Sequence, residues 1–391
     1  MKIADRLTDE TTPSRTRSGF ESWIPFVLLV VVTAAVYSPV VSQQFSHWDD
    51  PKHIKAIWKP GWERALRIVT DFNLEYTGTA YYTPVHFLSL MADQALAGSD
   101  VGPQAWPAKC MNVLYHILNT LLLFVLLGRA GIERRAAFLG TLIFAVHPVQ
   151  VGTVAWVAER KNLLATLFYL SASISYIDFT RTRRVASFAL VFLFFLLGLL
   201  SKPAVVTLPV VLAAWLLIVS DQGWRNTGGW AVIGIMLVIA LAWGLYTIST
   251  EVSYPGMLPP RPYRPLLAAG TIWFYLGKFL FPYDLVVVYP KWDIVGHWGR
   301  FLLLALALAA AAALAVKYRK RLDRLTVWGF SLFVANILPV AGFVPFGHLG
   351  HSYVADHFLY LPMVGLALMV ARGLELLFET IRDRPRAKTG V

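Results

Sequence analysis

Long uncharged apolar runs alternate with short basic segments along almost the whole chain. The first run, residues 23–42, reads WIPFVLLVVVTAAVYSPVVS and carries no charged side chain. A helix of about 20 such residues crosses the roughly 30 Å of hydrocarbon in a bilayer. The pattern therefore predicts an all-α polytopic membrane protein with about ten transmembrane helices. We expect these helices at residues 23–42, 109–128, 136–155, 162–179, 185–201, 204–220, 229–249, 298–317, 325–342 and 359–378.

Clusters of arginine and lysine lie between these runs and predict the orientation of the chain. The four clusters read RAGIERR at 129–135, RTRR at 181–184, KYRKRLDR at 317–324 and RDRPRAK at 382–388. Short basic loops stay in the cytoplasm, so both termini are expected inside and residues 43–108 and 250–297 form long outer loops. Short interfacial helices are expected in these loops. Residues 268–281, apolar and aromatic but short for a span, are predicted to form an in-plane or re-entrant helix.

The composition agrees with a single membrane-embedded domain over residues 1–391. The chain is 57% hydrophobic and 15% charged, whereas soluble proteins contain roughly 25% charged residues. The net charge of +12 resides mainly in the predicted cytoplasmic loops, which favours membrane lipids over nucleic acid as a partner. The first run is too long for a cleaved signal and is expected to be a retained span. The single cysteine, Cys110, excludes an intramolecular disulfide.

Several charged residues of the predicted outer face suggest chemistry. Asp49 and Asp50 follow the first run directly, and Arg160, Lys161 and Lys202 occupy short outer turns, against the positive-inside trend. An anionic ligand at the outer leaflet would compensate these cations, although snorkelling to lipid headgroups and a solvated loop end are the alternatives. Sugar transfer from a polyprenyl phosphate needs cations for the phosphate and a carboxylate to accept a proton. The residues leave open which of the two aspartates is the base.

The segment HPVQVGTVAWVAERKNLLATLFYLSASISY, residues 147–176, resembles the signature of the transmembrane O-mannosyltransferases that usually carry tetratricopeptide repeats. Shorter matches to that family are WDDPKHI, AYYTPVHF, FLFPYDLVVVYP and VADHFLYLP, so the resemblance extends from about residue 45 to 365. It implies a GT-C glycosyltransferase that uses a lipid-phosphate sugar. The acidic motif of the first outer loop, implied to be catalytic, falls on Asp49 and Asp50. The substrate cavity is expected to include His147, Glu159, Tyr82, Asp356 and His357.

The chain departs from the pattern of that family at four charged positions. Thr83 replaces an arginine, Gly152 a glutamate, Asn162 an aspartate and His357 an arginine. The repeat domain is also expected to be missing. These departures imply either another substrate or reduced activity. His348, His351 and His357 match no standard zinc spacing, so no metal and no cofactor is predicted, with a divalent cation as the alternative.

Together these features predict an inverting membrane glycosyltransferase of the extracytoplasmic face, most simply in a bacterial inner membrane. It would transfer mannose or another hexose or aminosugar from a polyprenyl-phosphate donor to a hydroxyl of protein Ser/Thr, a lipid or a glycan. One alternative is a transporter of a lipid-linked substrate, which would place charges at mid-bilayer in broken helices. Another is a catalytically silent relative that binds a lipid-linked sugar.

Overall fold

This computed structural model describes residues 19–98, 102–251 and 254–383, and the regular secondary structure of these ranges is entirely helical. The basic N-terminal segment and all but the first two residues of the C-terminal basic cluster lie outside these ranges. No strand occurs in the described ranges. In chain order the helices are α1 Gly19–Tyr37, α2 Asp50–Ile57, α3 Trp62–Thr70, α4 Pro84–Ala97, α5 Ala105–Arg129, α6 Arg134–Val146, α7 Val151–Val154, α8 Arg160–Thr182, α9 Val185–Leu199, α10 Leu208–Ala214, α11 Thr227–Thr250, α12 Arg264–Leu280, α13 Trp298–Lys317, α14 Arg324–Ile337 and α15 Met363–Arg382.

Five helices in the described part of the chain are long and apolar enough to cross a membrane. They are Trp23–Ser42, Ala105–Arg129, Val157–Thr182, Thr227–Thr250 and Trp298–Lys317. A sixth candidate is the pair Arg134–Val146 and Pro148–Val154, which is bent by 48°. The protein is thus an all-α integral membrane protein, as predicted, but the prediction of ten spans is not confirmed.

Proline and charge explain why the other predicted spans fall short. Helix α9 ends at Leu199, just before Pro203, and α14 ends at Ile337, just before Pro339. Proline has no N–H to continue a helix and restricts the residue before it, so the apolar runs there are divided into shorter pieces. The shorter apolar helices are Val185–Leu199, Pro203–Val219 and Arg324–Val340.

Helix α15 is long enough to cross a membrane, but it carries too many charged residues to count among the five apolar helices. Arg372, Glu375 and Glu379 lie within its first 18 residues. Arg372 forms ion pairs with Glu375 at 2.6 Å and with Asp323 at 3.0 Å. Glu375 also accepts a hydrogen bond of 2.6 Å from the backbone N–H of Glu133. These contacts hold the C-terminal half of α15 to the ends of α6 and α14.

The core of the bundle is built from close helix contacts. Helix α8 packs between α5 and α9, and α15 packs between α6 and α14. A Cβ on Gly140 of α6 would lie 2.5 Å from the Cβ of Ala371, and one on Gly365 would lie 2.3 Å from the carbonyl oxygen of Gly329. Small residues at such contacts let two helix backbones approach closely, which stabilises helix pairs in a membrane. The apolar half of α15 is therefore buried by protein.

The two predicted outer loops contain short helices, as expected. Residues 43–108 include α2, α3 and α4, and Asp71 closes the turn after α3 by accepting hydrogen bonds from the backbone N–H groups of Tyr76 and Thr77. The helix predicted at 268–281 is α12, which packs against α13 and α14. Both segments border the cavities described below.

Candidate active site

The centre of the site is Glu159, which contacts two lysines. Its carboxylate lies 3.0 Å from Lys161 Nζ and 3.8 Å from Lys202 Nζ. Asn162 joins the same group, because its side-chain amide donates to Glu159 at 2.5 Å and its oxygen accepts from Lys202 at 2.5 Å. A 3-10 turn leading into α8 supplies Glu159, and the break between α9 and α10 supplies Lys202. Glu159 and Asn162 thus hold the two ammonium groups of Lys161 and Lys202 close together, where both can contact an anionic ligand.

This cluster lines a polar cavity of about 390 Å³ at the ends of the helices. The other side chains around it include Asp49, Lys52, His53, Tyr81, Thr83 and His348. Burial lowers the pKa of Lys202 to about 8, although the nearby Glu159 carboxylate opposes that shift. Burial also lowers the pKa of His357, on the cavity wall, to about 3, so its imidazole is neutral at pH 7.

An apolar groove adjoins the polar cavity and shares part of its wall. Tyr81, Lys202, Glu251, Phe346 and Phe358 border both spaces. The rest of the groove is mainly aliphatic, with Pro203, Ala204, Val206, Ile248, Pro339 and Val340. The junction therefore carries the Lys202 cation and the Glu251 carboxylate at the end of an apolar channel. The cation suits the anionic head of a ligand whose apolar tail lies in the channel.

A second cavity, of about 720 Å³, lies on the other side of a wall formed by Trp48, Trp156 and His357, which border both cavities. Asp356 lines the second cavity and accepts a hydrogen bond of 2.7 Å from the hydroxyl of Tyr289. Burial raises the pKa of Asp356, and the hydrogen bond from Tyr289 opposes that change. Two spaces thus meet at one wall, an arrangement with room for two substrates side by side.

The two adjacent aspartates have different environments. Asp49 is half-buried and lines the polar cavity. Asp50 is fully buried, and its two oxygens accept hydrogen bonds of 2.8 Å from the backbone N–H groups of Ser46 and Ala158. Burial raises the pKa of Asp50, and these backbone hydrogen bonds oppose the shift. Asp49 is consequently the member of the pair that a ligand in the polar cavity can reach.

Arg160 lies apart from Lys161 and Lys202, the two lysines with which it was expected to form a phosphate site. It is completely buried and forms an ion pair of 2.5 Å with Asp93 of α4. Its guanidinium also donates to the side chain of Asn112 and to the carbonyl of Ala108, both at 2.8 Å. Arg160 therefore connects α8 to α4 and α5, whereas Lys161 and Lys202 line the cavity.

Two other predicted site residues lie outside the cavity walls. His147 stacks on Phe279 and has its Nε2 3.0 Å from that residue's carbonyl oxygen, at the bend between α6 and the next turn. Tyr82 is buried and donates a hydrogen bond of 2.5 Å to the carbonyl of Val69. Its neighbour Tyr81 lines the polar cavity instead. Of the remaining predicted residues, Glu159 is central, and Asp356 and His357 line cavities.

Sequence reasoning missed several residues of the site. Tyr81, His348 and the buried pair His53 and His86 were not assigned to it. The only signal for His53 was its position four residues after Asp49, the N-cap residue of α2, which puts both side chains on the same side of that helix. No comparable signal marked His86, because its contact with His53 joins residues 33 positions apart.

Three of the four positions that depart from the family pattern line the two cavities, and the fourth, Asn162, contacts two residues of the polar cavity wall. Thr83 lines the polar cavity, Gly152 lines the second cavity, and His357 lines both. Asn162 bridges Glu159 and Lys202. The replaced residues are two cations and two anions. The substitutions therefore change where charges lie around the cavities, but they leave the net charge unchanged. In the described ranges, no group of three or more His, Cys, Asp or Glu residues is arranged to hold a metal ion.

Comparisons with known proteins connect the chain to protein O-mannosyl-transferases. The mouse protein O-mannosyl-transferase TMTC3 is 35% identical over 68 residues, which cover 16% of this chain and 7% of that protein. Human TMTC1 is 29% identical over 182 residues, 43% of this chain and 19% of that protein. The Caenorhabditis elegans protein F38B6.6 is 24% identical over 281 residues, 67% of this chain and 38% of that protein. The resemblance expected from the motifs is confirmed.

The matched stretches are partial. The chain covers between 7% and 38% of the length of the curated relatives that it matches. No family model matches the chain, and no solved structure matches it.

Proposed function

We propose that this homologue of the protein O-mannosyl-transferases is a membrane glycosyltransferase that uses a polyprenyl-phosphate sugar and an acceptor hydroxyl. The names of its relatives support sugar transfer to protein. The observation that carries the donor type is the contact between the apolar groove and the polar cavity at Lys202. We further propose mannose, or a related hexose or aminosugar, as the transferred group and a bacterial inner membrane as the site of action.

The groove and the cavity would hold different parts of one donor. The polyprenyl chain would occupy the groove, where apolar surface leaves water. Its phosphate would lie between Lys161 and Lys202, whose side chains Glu159 and Asn162 hold in place. As the bond between the anomeric carbon and the phosphate oxygen breaks, these two ammonium groups would stabilise the charge that develops on the leaving phosphate.

The acceptor would approach from the second cavity. Its hydroxyl oxygen would attack the anomeric carbon from the face opposite the phosphate, so one displacement inverts the configuration. The acceptor hydroxyl would reach past the wall of Trp48, Trp156 and His357 into the polar cavity. Its proton would pass there to Asp49, which lines that cavity and is the accessible carboxylate of the pair. A protein Ser or Thr, as the names of the relatives suggest, fits this role.

Charge placement favours this reaction over transport. Lys161, Lys202 and Glu159 lie at helix ends, while a transporter typically has its ionisable groups near mid-bilayer in paired, broken helices. A failed activity test would favour the alternative that the protein is a catalytically silent relative that binds lipid. The four departures from the family pattern are the reason to retain that alternative.

Sugar transfer by the purified protein in liposomes tests the proposal. A panel of polyprenyl-phosphate sugars would be supplied with a Ser- and Thr-containing peptide, a lipid or a glycan acceptor. Lys161→Met and Lys202→Met should each raise the donor KM about ten- to a hundredfold, because a hydrogen bond to a charged group contributes about 1.5–3 kcal/mol. Lys291→Met, at an outer lysine that lines neither cavity, is the matched control.

Three results would contradict the proposal or a part of it. No transfer from any donor by the parent protein would favour a silent relative, and unchanged donor kinetics in both lysine variants would exclude the phosphate site. A product that retains the donor's anomeric configuration would contradict the single displacement.

A further inference from the structure

Two buried histidines outside the lysine cluster form a pair at the wall of the polar cavity. His53 Nδ1 of α2 lies 2.9 Å from His86 Nε2 of α4. His53 borders the cavity, and its other ring nitrogen, Nε2, has no hydrogen-bond partner among the residues that the structure describes. His86 is fully buried behind it, and its Nδ1 has no partner either. The nitrogen of the pair that is available to a ligand is therefore Nε2 of His53, at the cavity wall.

The position of the protons in this pair follows from the unpartnered nitrogen of His86. Both rings are neutral at pH 7. Burial and the nearby ammonium of Lys161 lower the pKa of His53 to about 3, and burial, with the neighbouring His53 and Lys161, holds the pKa of His86 well below its usual value. If His53 donated through Nδ1, His86 would carry its proton on Nδ1 as a buried N–H without an acceptor. Buried N–H groups without a partner are rarer than buried acceptors without a donor.

The favourable alternative has His86 Nε2–H donating to His53 Nδ1, which leaves only a lone pair unpartnered at His86 Nδ1. That lone pair lies near the start of α4, where the helix dipole is positive, and in the field of the Arg160 and Lys161 cations. His53 then carries its proton on Nε2. A neutral imidazole thus presents an N–H donor on the wall that also carries Lys161 and Lys202.

We propose that His53 donates a hydrogen bond from Nε2 to a phosphate oxygen of the lipid-borne ligand, and that His86 is a positioning residue that fixes the required tautomer. This proposal rests on the proposed function. The imidazole of His53 would add a neutral hydrogen-bond donor to the two lysines. The site would then bind a phosphate oxygen through a directional hydrogen bond as well as through charge.

Substitutions can separate the two nitrogens of each ring. In His53→Gln the amide lies near the former Nε2 and keeps a donor toward the cavity, whereas in His53→Asn it lies near the former Nδ1 and does not reach. In the same way His86→Gln keeps a donor to His53, and His86→Leu removes it. His297→Gln, at an exposed histidine outside the polar cavity, is the control.

The readout is binding of a short-chain polyprenyl phosphate without sugar to the full-length protein in detergent, with the unphosphorylated polyprenol as the control ligand. His53→Asn and His86→Leu should weaken phosphate binding about tenfold or more, while His53→Gln and His86→Gln should stay within about threefold of the parent. The double variant His53→Asn/His86→Leu should bind no more weakly than His53→Asn, because both changes remove one interaction.

The outcomes distinguish this inference from the proposed function. Parental binding by His53→Asn, together with lost binding by Lys202→Met, would overturn the role of His53 and leave the donor site intact. Equal losses in the Gln and Asn variants, or additive losses in the double variant, would reduce the pair to a packing role. No polyprenyl-phosphate binding by the parent would overturn both.

Discussion

The Asp50 carboxylate accepts a hydrogen bond of 2.8 Å from the backbone N–H of Ala158, 108 residues further along the chain. Its other oxygen accepts from Ser46, so both oxygens are occupied by backbone donors. This contact fixes the start of α2 to the turn that carries Glu159. Asp49, one residue earlier, is left facing the polar cavity. Two adjacent carboxylates therefore have separate tasks, one in joining two segments and one in the proposed chemistry.

Exchange of each aspartate for asparagine tests that division. Asp49→Asn should lower turnover about 10²–10⁴-fold, the usual contribution of a general base, with unchanged thermal unfolding. Asp50→Asn should instead lower the stability by about 1–3 kcal/mol, because an amide cannot accept from both backbone N–H groups without turning a donor toward one of them. Activity assays and thermal unfolding in detergent provide the two readouts. A reversed pattern would make Asp50 the base.

Arg160 is predicted to stabilise the fold rather than to bind phosphate. Its ion pair with Asp93 is buried on both sides, and removal of one partner from such a pair costs about 3–5 kcal/mol. Arg160→Met should therefore be strongly destabilised or poorly expressed. The double variant Arg160→Met/Asp93→Leu removes both charges and should recover much of the stability. If Arg160→Met is as stable as the parent and binds donor more weakly, Arg160 belongs to the phosphate site after all.

Deprotonation of Lys202 should make activity fall at alkaline pH. Because burial lowers the pKa of Lys202 to about 8, its ammonium is present below that pH and is lost as the pH rises through it. The value of kcat/KM for the donor, which reports groups of the free enzyme, should decline above about pH 8. Lys202→Arg stays charged and should lose this decline, since the guanidinium pKa is far higher. A parent profile that stays flat well above pH 8 would contradict the role of Lys202.

The orientation of the chain is the fourth prediction. Reporter fusions at Glu75 should give an extracytoplasmic signal, and fusions at Thr182 and Lys388 should give cytoplasmic signals, because the basic loops remain inside. The fusion at Thr182 is the most decisive, since Thr182 is the last residue of α8 and adjoins the basic segment that leads into α9. An extracytoplasmic signal there would invert the scheme and move both cavities to the cytoplasmic face.

The sequence by itself determined the class of the protein and the location of most helices. The period of apolar and basic segments is a local property, set by the length of helix that a bilayer needs, so α5, α8 and α13 appear close to where they were predicted. It determined the number of spans less well. Prolines shorten several of the apolar helices, and the charged residues of α15 are accommodated by ion pairs with neighbouring helices. Both effects depend on which segments pack together.

Only the tertiary structure decided which charged residues work together. Arg160 and Lys161 are neighbours in the chain, but the turn of α8 directs one toward Asp93 and the other toward Glu159. The pair of His53 and His86 and the bond from Ala158 to Asp50 join segments that are far apart in the chain. A sequence pattern reports which face of one helix a residue occupies. The partner on the opposing helix is fixed only when the bundle packs, and that packing separated the charges that bind the fold together from those that line a cavity.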